Sequence, residues 1–157
     1  KFIHLVRNPW GFIESGVRLG FYTTGLYTDM GRITPHNGKY KKEWEGMDQY
    51  LKLAWLWNET NQFIETFKNE IDSARVITIN SEELFKVPEV VNNVMQFCGF
   101  STITNSAIKK MTTIPINAKQ DRQAYVKHND WSAERKAKVN QLVKLANKYG
   151  YPIPFKD

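Results

Sequence analysis

A short apolar strand that runs straight into an arginine, a helix cap and a proline constrains the start of this chain. Phe2, Ile3, Leu5 and Val6 give the β-branched and aromatic composition of a buried strand. The run stops at Arg7, Asn8 and Pro9. Asn8 suits an N-cap, and Pro9 suits the first helical position, where a missing N–H costs nothing. A strand therefore ends and a helix begins with one arginine at the joint. In open α/β sheets ligands sit beyond the carboxyl ends of the strands, and helix N-termini favour anions.

Projected at about 100° per residue, Phe12, Ile13, Gly16, Val17 and Leu19 share one face of this helix, expected to pack on the sheet. Glu14 and Arg18 fall opposite. Ser15 lies at the edge, on the side of Asn8. A guanidinium fork and a hydroxyl on one side of a helix start make a phosphate clamp. The other reading pairs Arg7 with a nearby carboxylate and leaves Ser15 as a small polar residue. Spacing alone weighs the two evenly.

Arg7-Asn8-Pro9 followed by Ser15, at the end of an apolar strand, resembles the 3′-phosphate-binding motif of the sulfotransferases that use 3′-phosphoadenosine 5′-phosphosulfate (PAPS). The resemblance implies that Arg7 and Ser15 hold the 3′-phosphate of the co-substrate. It follows the order of elements along nearly the whole chain, although only this first motif is specific. It implies a three-layer P-loop-like parallel sheet flanked by helices, incomplete at its N-terminal side.

The 157 residues, 41% of them apolar, suit a single α/β domain over residues 1–157 with a real core. Five Trp, seven Tyr and nine Phe are too large a payload for a disordered tail. The one cysteine, Cys98, excludes an intrachain disulfide and a Cys-based metal site, and its apolar neighbours predict a buried position. No metal is expected. No run of about 18 apolar residues exists to span a membrane, and no signal-peptide pattern is visible. The expected location is cytoplasmic, with an anchor or signal before Lys1 left open, because a chain opening directly on a core strand reads as a cut.

Charge is uneven. Residues 1–100 hold 11 Lys/Arg against 12 Asp/Glu, whereas residues 101–157 hold 11 against 4. The basic C-terminal third points to a polyanionic partner: PAPS, nucleic acid or an anionic surface. A solvated basic helix face accounts for most of these lysines one by one.

Residues 20–46 are rich in glycine, tyrosine and threonine, and a long aromatic loop in a compact domain is usually functional or mobile. By resemblance this region helps form the acceptor pocket, which makes Tyr22, Tyr27, Arg32 and His36 candidate contacts for a small-molecule or carbohydrate acceptor. A surface turn is the competing role for His36. Met47 to Ile71 shows helical spacing of apolar residues and predicts a long core helix, with Asn58 and Asn61 at its rim. Ala74 to Asn80 predicts a second strand, and the alternation of elements favours a parallel sheet.

Ser81 to Leu84 reads as a helix start, with Glu82 and Glu83 as charges that suit its dipole. It resembles the sulfotransferase Tyr-Glu-Asp-Leu segment, but Ser81 replaces the tyrosine that contacts adenine in some members. Further helices are predicted from Pro88 to Phe97, from Ile103 to Met111, and from a Ser132 cap through Ala146 to Gly150. Asn129-Asp130-Trp131 resembles the Gly-Asp-Trp that follows a basic lid loop in cytosolic members. Ala124-Tyr125-Val126 stands where that loop has Arg-Lys-Gly, so Arg122 and Lys127 on either side are the implied second-rank co-substrate contacts.

The family's glycine-rich loop for the 5′-phosphosulfate does not occur in these residues, nor does the general base that follows it. His4, inside the first strand, fits no catalytic pattern, and the catalytic residues are unassigned. The implied reaction is sulfuryl transfer from PAPS to a hydroxyl or amine, with this chain supplying the 3′-phosphate site and not turning over by itself. Two alternatives remain: a non-catalytic adenosine 3′,5′-bisphosphate-binding module, and a nucleic-acid-binding domain using the basic third with Tyr125, Trp131 and Tyr149. No recognised nucleic-acid motif supports the last, and no nucleic-acid partner is expected.

Overall fold

Residues 1–23, 31–113 and 124–152 are described by a computed structural model. The elements run β1 (Phe2–Val6), α1 (Pro9–Arg18), α2 (Gly38–Glu43), α3 (Gln49–Lys68), β2 (Val76–Asn80), α4 (Ser81–Leu84), α5 (Pro88–Cys98), α6 (Asn105–Thr112) and α7 (Ala133–Leu142), with short 3₁₀ turns between some of them. The protein is α/β and mostly helical, with a two-stranded parallel sheet. Two compact units emerge: Lys1–Asn8 with Phe63–Lys119, and Pro9–Gln62 with Gln120–Asp157.

In the first unit, β1 and β2 pair in parallel with Phe2 opposite Val76 and Val6 opposite Asn80. The sequence predicts a buried strand, yet burial alternates along β1. His4 and Val6 are buried, whereas Ile3 and Leu5 are 40% and 49% exposed. Side chains alternate across a strand, so only one face of β1 is covered. Beneath that face lies a polar cluster. His4 Nδ1 is 3.7 Å from Glu65 Oε1, which accepts from Lys68 Nζ at 2.6 Å, and Lys68 also donates to Thr78 at 2.8 Å. Helix α5 starts on Pro88 and stops at Gly99, whose left-handed φ of 91° lets Gly99 and Phe100 return N–H groups to the last carbonyls. Asn92 then holds Ile103 by both its N–H and its carbonyl, at 2.9 and 3.0 Å. Cys98 is exposed, against the expectation of burial. It sits at the helix end, and its apolar neighbour Phe100 is itself 66% exposed.

The second unit holds most of the apolar core, including all five tryptophans. Trp44 packs edge-on against Trp55, and Trp57 against Tyr149. Helix α1 approaches α3 closely because Gly16 has no Cβ. One placed there would fall 2.5 Å from Leu53 Cδ2. Residues 38–46, expected to be loop, form α2 and a 3₁₀ turn that buries Trp44. The predicted last helix is interrupted. Ser132 caps it by accepting from the Arg135 N–H, but α7 ends at Leu142. There the Leu145 N–H donates to Asn58 Oδ1 at 3.3 Å, and a 3₁₀ turn over Asn147–Tyr149 follows. Asn58 and Asn61, expected at the rim, are 9% and 7% exposed. Asn61 donates to the Trp57 carbonyl at 2.6 Å. Among the described residues no helix is long and apolar enough to cross a membrane.

Candidate functional site

The joint between strand and helix stands where the sequence places it. Strand β1 ends at Val6 and α1 begins at Pro9, which leaves Arg7 and Asn8 between them. Arg7 is exposed and Ser15, on α1, is half-buried. The Asn8 backbone N–H donates to Glu82 Oε1 at 3.0 Å. Glu82 belongs to α4, which follows directly on β2, so the parallel pairing carries its carboxylate to the end of β1. The sequence assigns Glu82 only to its own helix start. Nothing in the local pattern signals a contact 74 residues away, because that contact depends on strand register.

Lys127 lies on a segment fixed from three sides within the second unit. Glu14 Oε1 accepts the His128 backbone N–H at 2.6 Å and faces His128 Nδ1 at 2.9 Å. The Val126 N–H donates to the Tyr50 hydroxyl at 3.1 Å, and the Val126 carbonyl accepts from Trp131 Nε1 at 2.8 Å. Tyr50 and Trp131 meet edge-on at 5.3 Å. Trp131 is therefore the buried foot of the segment, and Lys127 is exposed above it. Glu14 neighbours Ser15 and His128 neighbours Lys127, so a direct hydrogen bond joins the backbone stretches that carry two of the sequence-predicted contacts. The sequence places Glu14 on the polar face of α1 and gives it no partner. An acid in mid-helix facing a distant His-Asn-Asp-Trp turn carries no signature of its own.

The acceptor candidates divide. The Tyr22 hydroxyl donates to the Ile33 carbonyl at 2.6 Å, its ring packs edge-on against Trp44, and its φ is 59°. A positive φ is uncommon for a bulky residue and needs such support from its surroundings. The Arg32 guanidinium lies 3.4 Å from the Phe21 ring centroid, a cation–π contact. These contacts join residues 21–22 to residues 32–33. His36 is exposed. Tyr27 and Arg122 lie outside the described residues.

Trp131 and Tyr149 are 3% and 7% exposed, which removes two of the three aromatics named for base stacking. His4 is 2% exposed and faces Glu65. Among the described residues no group of three or more His, Cys, Asp or Glu could hold a metal ion. The described residues thus define an α/β protein with an exposed arginine at a strand-to-helix joint and a lysine on a pinned turn. No protein-family model matches this chain, and no curated protein or solved structure matches it.

Proposed function

We propose that this chain supplies the 3′-phosphate site of a PAPS-dependent sulfotransferase. Arg7 and Ser15 take the 3′-phosphate, with Lys127 and Arg122 as second-rank cations. Tyr22, Tyr27, Arg32 and His36 border the acceptor, a small molecule or carbohydrate. The observation that carries this reading is an exposed arginine at the carboxyl end of a parallel strand, two residues before a proline-started helix. Ligands of open α/β sheets bind at such strand ends. The Glu14 tether of the Lys127 segment to α1 supports it further. Finer architecture belongs to the same proposal: a three-layer P-loop-like parallel sheet in which further chain covers the β1 face that exposes Ile3 and Leu5.

In the reaction, the bond from sulfur to the phosphate-bridging oxygen breaks and a bond from sulfur to the acceptor oxygen or nitrogen forms. The acceptor proton leaves to a base, and cations stabilise the charge growing on the bridging oxygen. The residues here bind and orient the nucleotide, Arg7 through its fork of donors and Ser15 through its hydroxyl. Glu82 already takes the Asn8 N–H, so the phosphate depends on these side chains more than on that amide.

A second reading, binding of adenosine 3′,5′-bisphosphate without transfer, is favoured by His4. The histidine of β1 is 2% exposed and faces Glu65, so it is not presented at the surface. Titration calorimetry with adenosine 3′,5′-bisphosphate tests both readings. Arg7→Ala and Ser15→Ala should weaken binding at least tenfold for the arginine, as expected for a charge-assisted pair of about 1.5–3 kcal/mol. Equal affinity in wild type and Arg7→Ala removes the nucleotide assignment. A PAPS-dependent sulfation assay then separates transfer from binding alone.

A further inference from the structure

We propose that the cleft between the α4–α5 connection and α6 binds a small amphipathic monoanion, a carboxylate or sulfate on an apolar body. This cleft lies wholly in the first unit, involves neither Arg7 nor Ser15, and is independent of the nucleotide reading. Its volume is about 540 Å³, within the range of small-molecule sites of roughly 300–1,000 Å³.

One wall is the connection from Leu84 to Pro88, and the other is the face of α6 that carries Asn105, Ile108 and Lys109. Phe85 and Val87 are 62% and 40% exposed at the cleft, while Ile108, 3% exposed, forms its floor. Exposed apolar side chains grouped around a concavity cost free energy in water and gain it when an apolar body displaces that water. Charge sets the other half of the ligand. Lys86 and Lys109 face the cleft from its two walls, and among the described residues no Asp or Glu lines it. The hydroxyls of Thr112 and Thr113 are spent on the Ile108 and Lys109 carbonyls at 3.1 and 2.6 Å. Donors for an anion are therefore the two ammonium groups, with the Asn105 and Ser106 side chains at the start of α6. Two cations over an apolar floor, without a carboxylate among the described lining residues, favour one negative head on a greasy body. They do not favour a sugar, which needs paired donors and acceptors, or a cation.

The probe is octyl sulfate well below its micelle concentration, titrated calorimetrically into the full chain, with octanoate, octanol and inorganic sulfate in parallel. One saturable site is expected for octyl sulfate and octanoate, and at least tenfold weaker binding for octanol and inorganic sulfate. Lys86→Glu with Lys109→Glu should lose at least tenfold in affinity. Lys110→Glu with Lys144→Glu, the same change in net charge outside the cleft, should stay within twofold. Ser106→Trp, an exposed position filled from the rim, should abolish binding while circular dichroism and the melting temperature stay near wild type. Should the reversed pair fail to fold, Lys86→Met with Lys109→Met makes the same comparison. Equal losses in both lysine pairs, non-saturating uptake, or unchanged binding in Ser106→Trp overturns the proposal.

Discussion

Glu14 accepts two hydrogen bonds through one oxygen, from the His128 backbone N–H at 2.6 Å and from the His128 ring at 2.9 Å. A carboxylate can only accept, so the ring contact is a hydrogen bond in which Nδ1 is the donor. The pair spans 114 residues of sequence and fixes the segment carrying Lys127 to the helix carrying Ser15. Glu14→Ala removes the single oxygen that takes both bonds in a half-buried place and should destabilise the second unit by about 1–3 kcal/mol. Hydrogen exchange should quicken at the His128 amide and across residues 126–131, with little change in α5. Glu14→Gln, which keeps one acceptor oxygen, should recover part of the protection. Unchanged exchange at His128 in Glu14→Ala would show that the segment is held by Tyr50 and Trp131 alone.

Gly16 is where α1 and α3 come closest. An added methyl would lie 2.5 and 2.9 Å from the two terminal carbons of Leu53, a side chain with no exposed surface. Overpacking of this kind costs about 1–3 kcal/mol, set against a helix-propensity gain of about 1 kcal/mol for Ala over Gly. Gly16→Ala should therefore destabilise by about 1 kcal/mol net. In a double-mutant cycle with Leu53→Ala the losses should be less than additive, because the smaller side chain makes room for the methyl. Additive losses measured by urea unfolding would contradict the close approach.

Where physics is local, the chain can be read directly. Pro88 starts α5, Gly99 ends it in the left-handed conformation, and Ser132 caps α7 with its own oxygen. The strand–arginine–helix joint and the long helix α3 have the same origin, periodicity plus caps. What escaped reading lies in contacts between distant segments. Apolar spacing continues beyond Leu142, yet α7 ends there because a buried asparagine on α3 takes the Leu145 N–H. Cys98 has apolar neighbours in sequence, but it lies at a helix end that nothing covers. Of the candidate site, the strand-to-helix joint at Arg7 and the helix that carries Ser15 were legible. The carboxylates that organise them, Glu82 and Glu14, were not, because parallel register and tertiary packing bring them in.

Glu82 places a negative charge one residue from Arg7, on the amide that an incoming anion would also seek. Under the nucleotide reading it opposes the phosphate. A unit charge at about 4 Å in a water-like medium is worth about 1 kcal/mol, so Glu82→Gln should tighten adenosine 3′,5′-bisphosphate binding about fivefold at low salt. Gln still accepts the Asn8 N–H, so stability should change little. The gain should shrink as ionic strength rises and the Debye length falls below about 10 Å. Weaker binding in Glu82→Gln would mean that the carboxylate positions the joint instead of repelling its ligand.

Asn58 ends α7 through a single buried acceptor. Asn58→Leu removes it and leaves the Leu145 N–H to find another partner, a loss of about 1–3 kcal/mol. Asn58→Asp keeps the oxygen and should lose less above the carboxylate range than below it. Chemical-shift changes should centre on residues 143–149. Changes confined to α3 would show that Asn58 matters for packing only.

The last prediction concerns pH. Lys138, hydrogen-bonded to Glu134 at 2.7 Å and carrying the opposite charge, holds the glutamate below its ordinary pKa. The same bond and charge raise the lysine above its own. The depressed carboxylate contributes stability that is fully present above the pKa of the unfolded chain and lost as pH falls through the folded value. The raised ammonium contributes stability that is fully present below its unfolded pKa and lost as pH rises through the folded value. The pair therefore helps α7 between these limits and at neither extreme. Both groups are solvent-exposed, so the effect is small and screened by salt. Melting temperatures of wild type and Lys138→Met should differ slightly at neutral pH and converge as pH drops through the carboxylate range. They should also converge in 1 M salt, where the Debye length is about 3 Å. A difference that persists at acid pH and in high salt would assign the role of Lys138 to its aliphatic stem packing on the unit's surface.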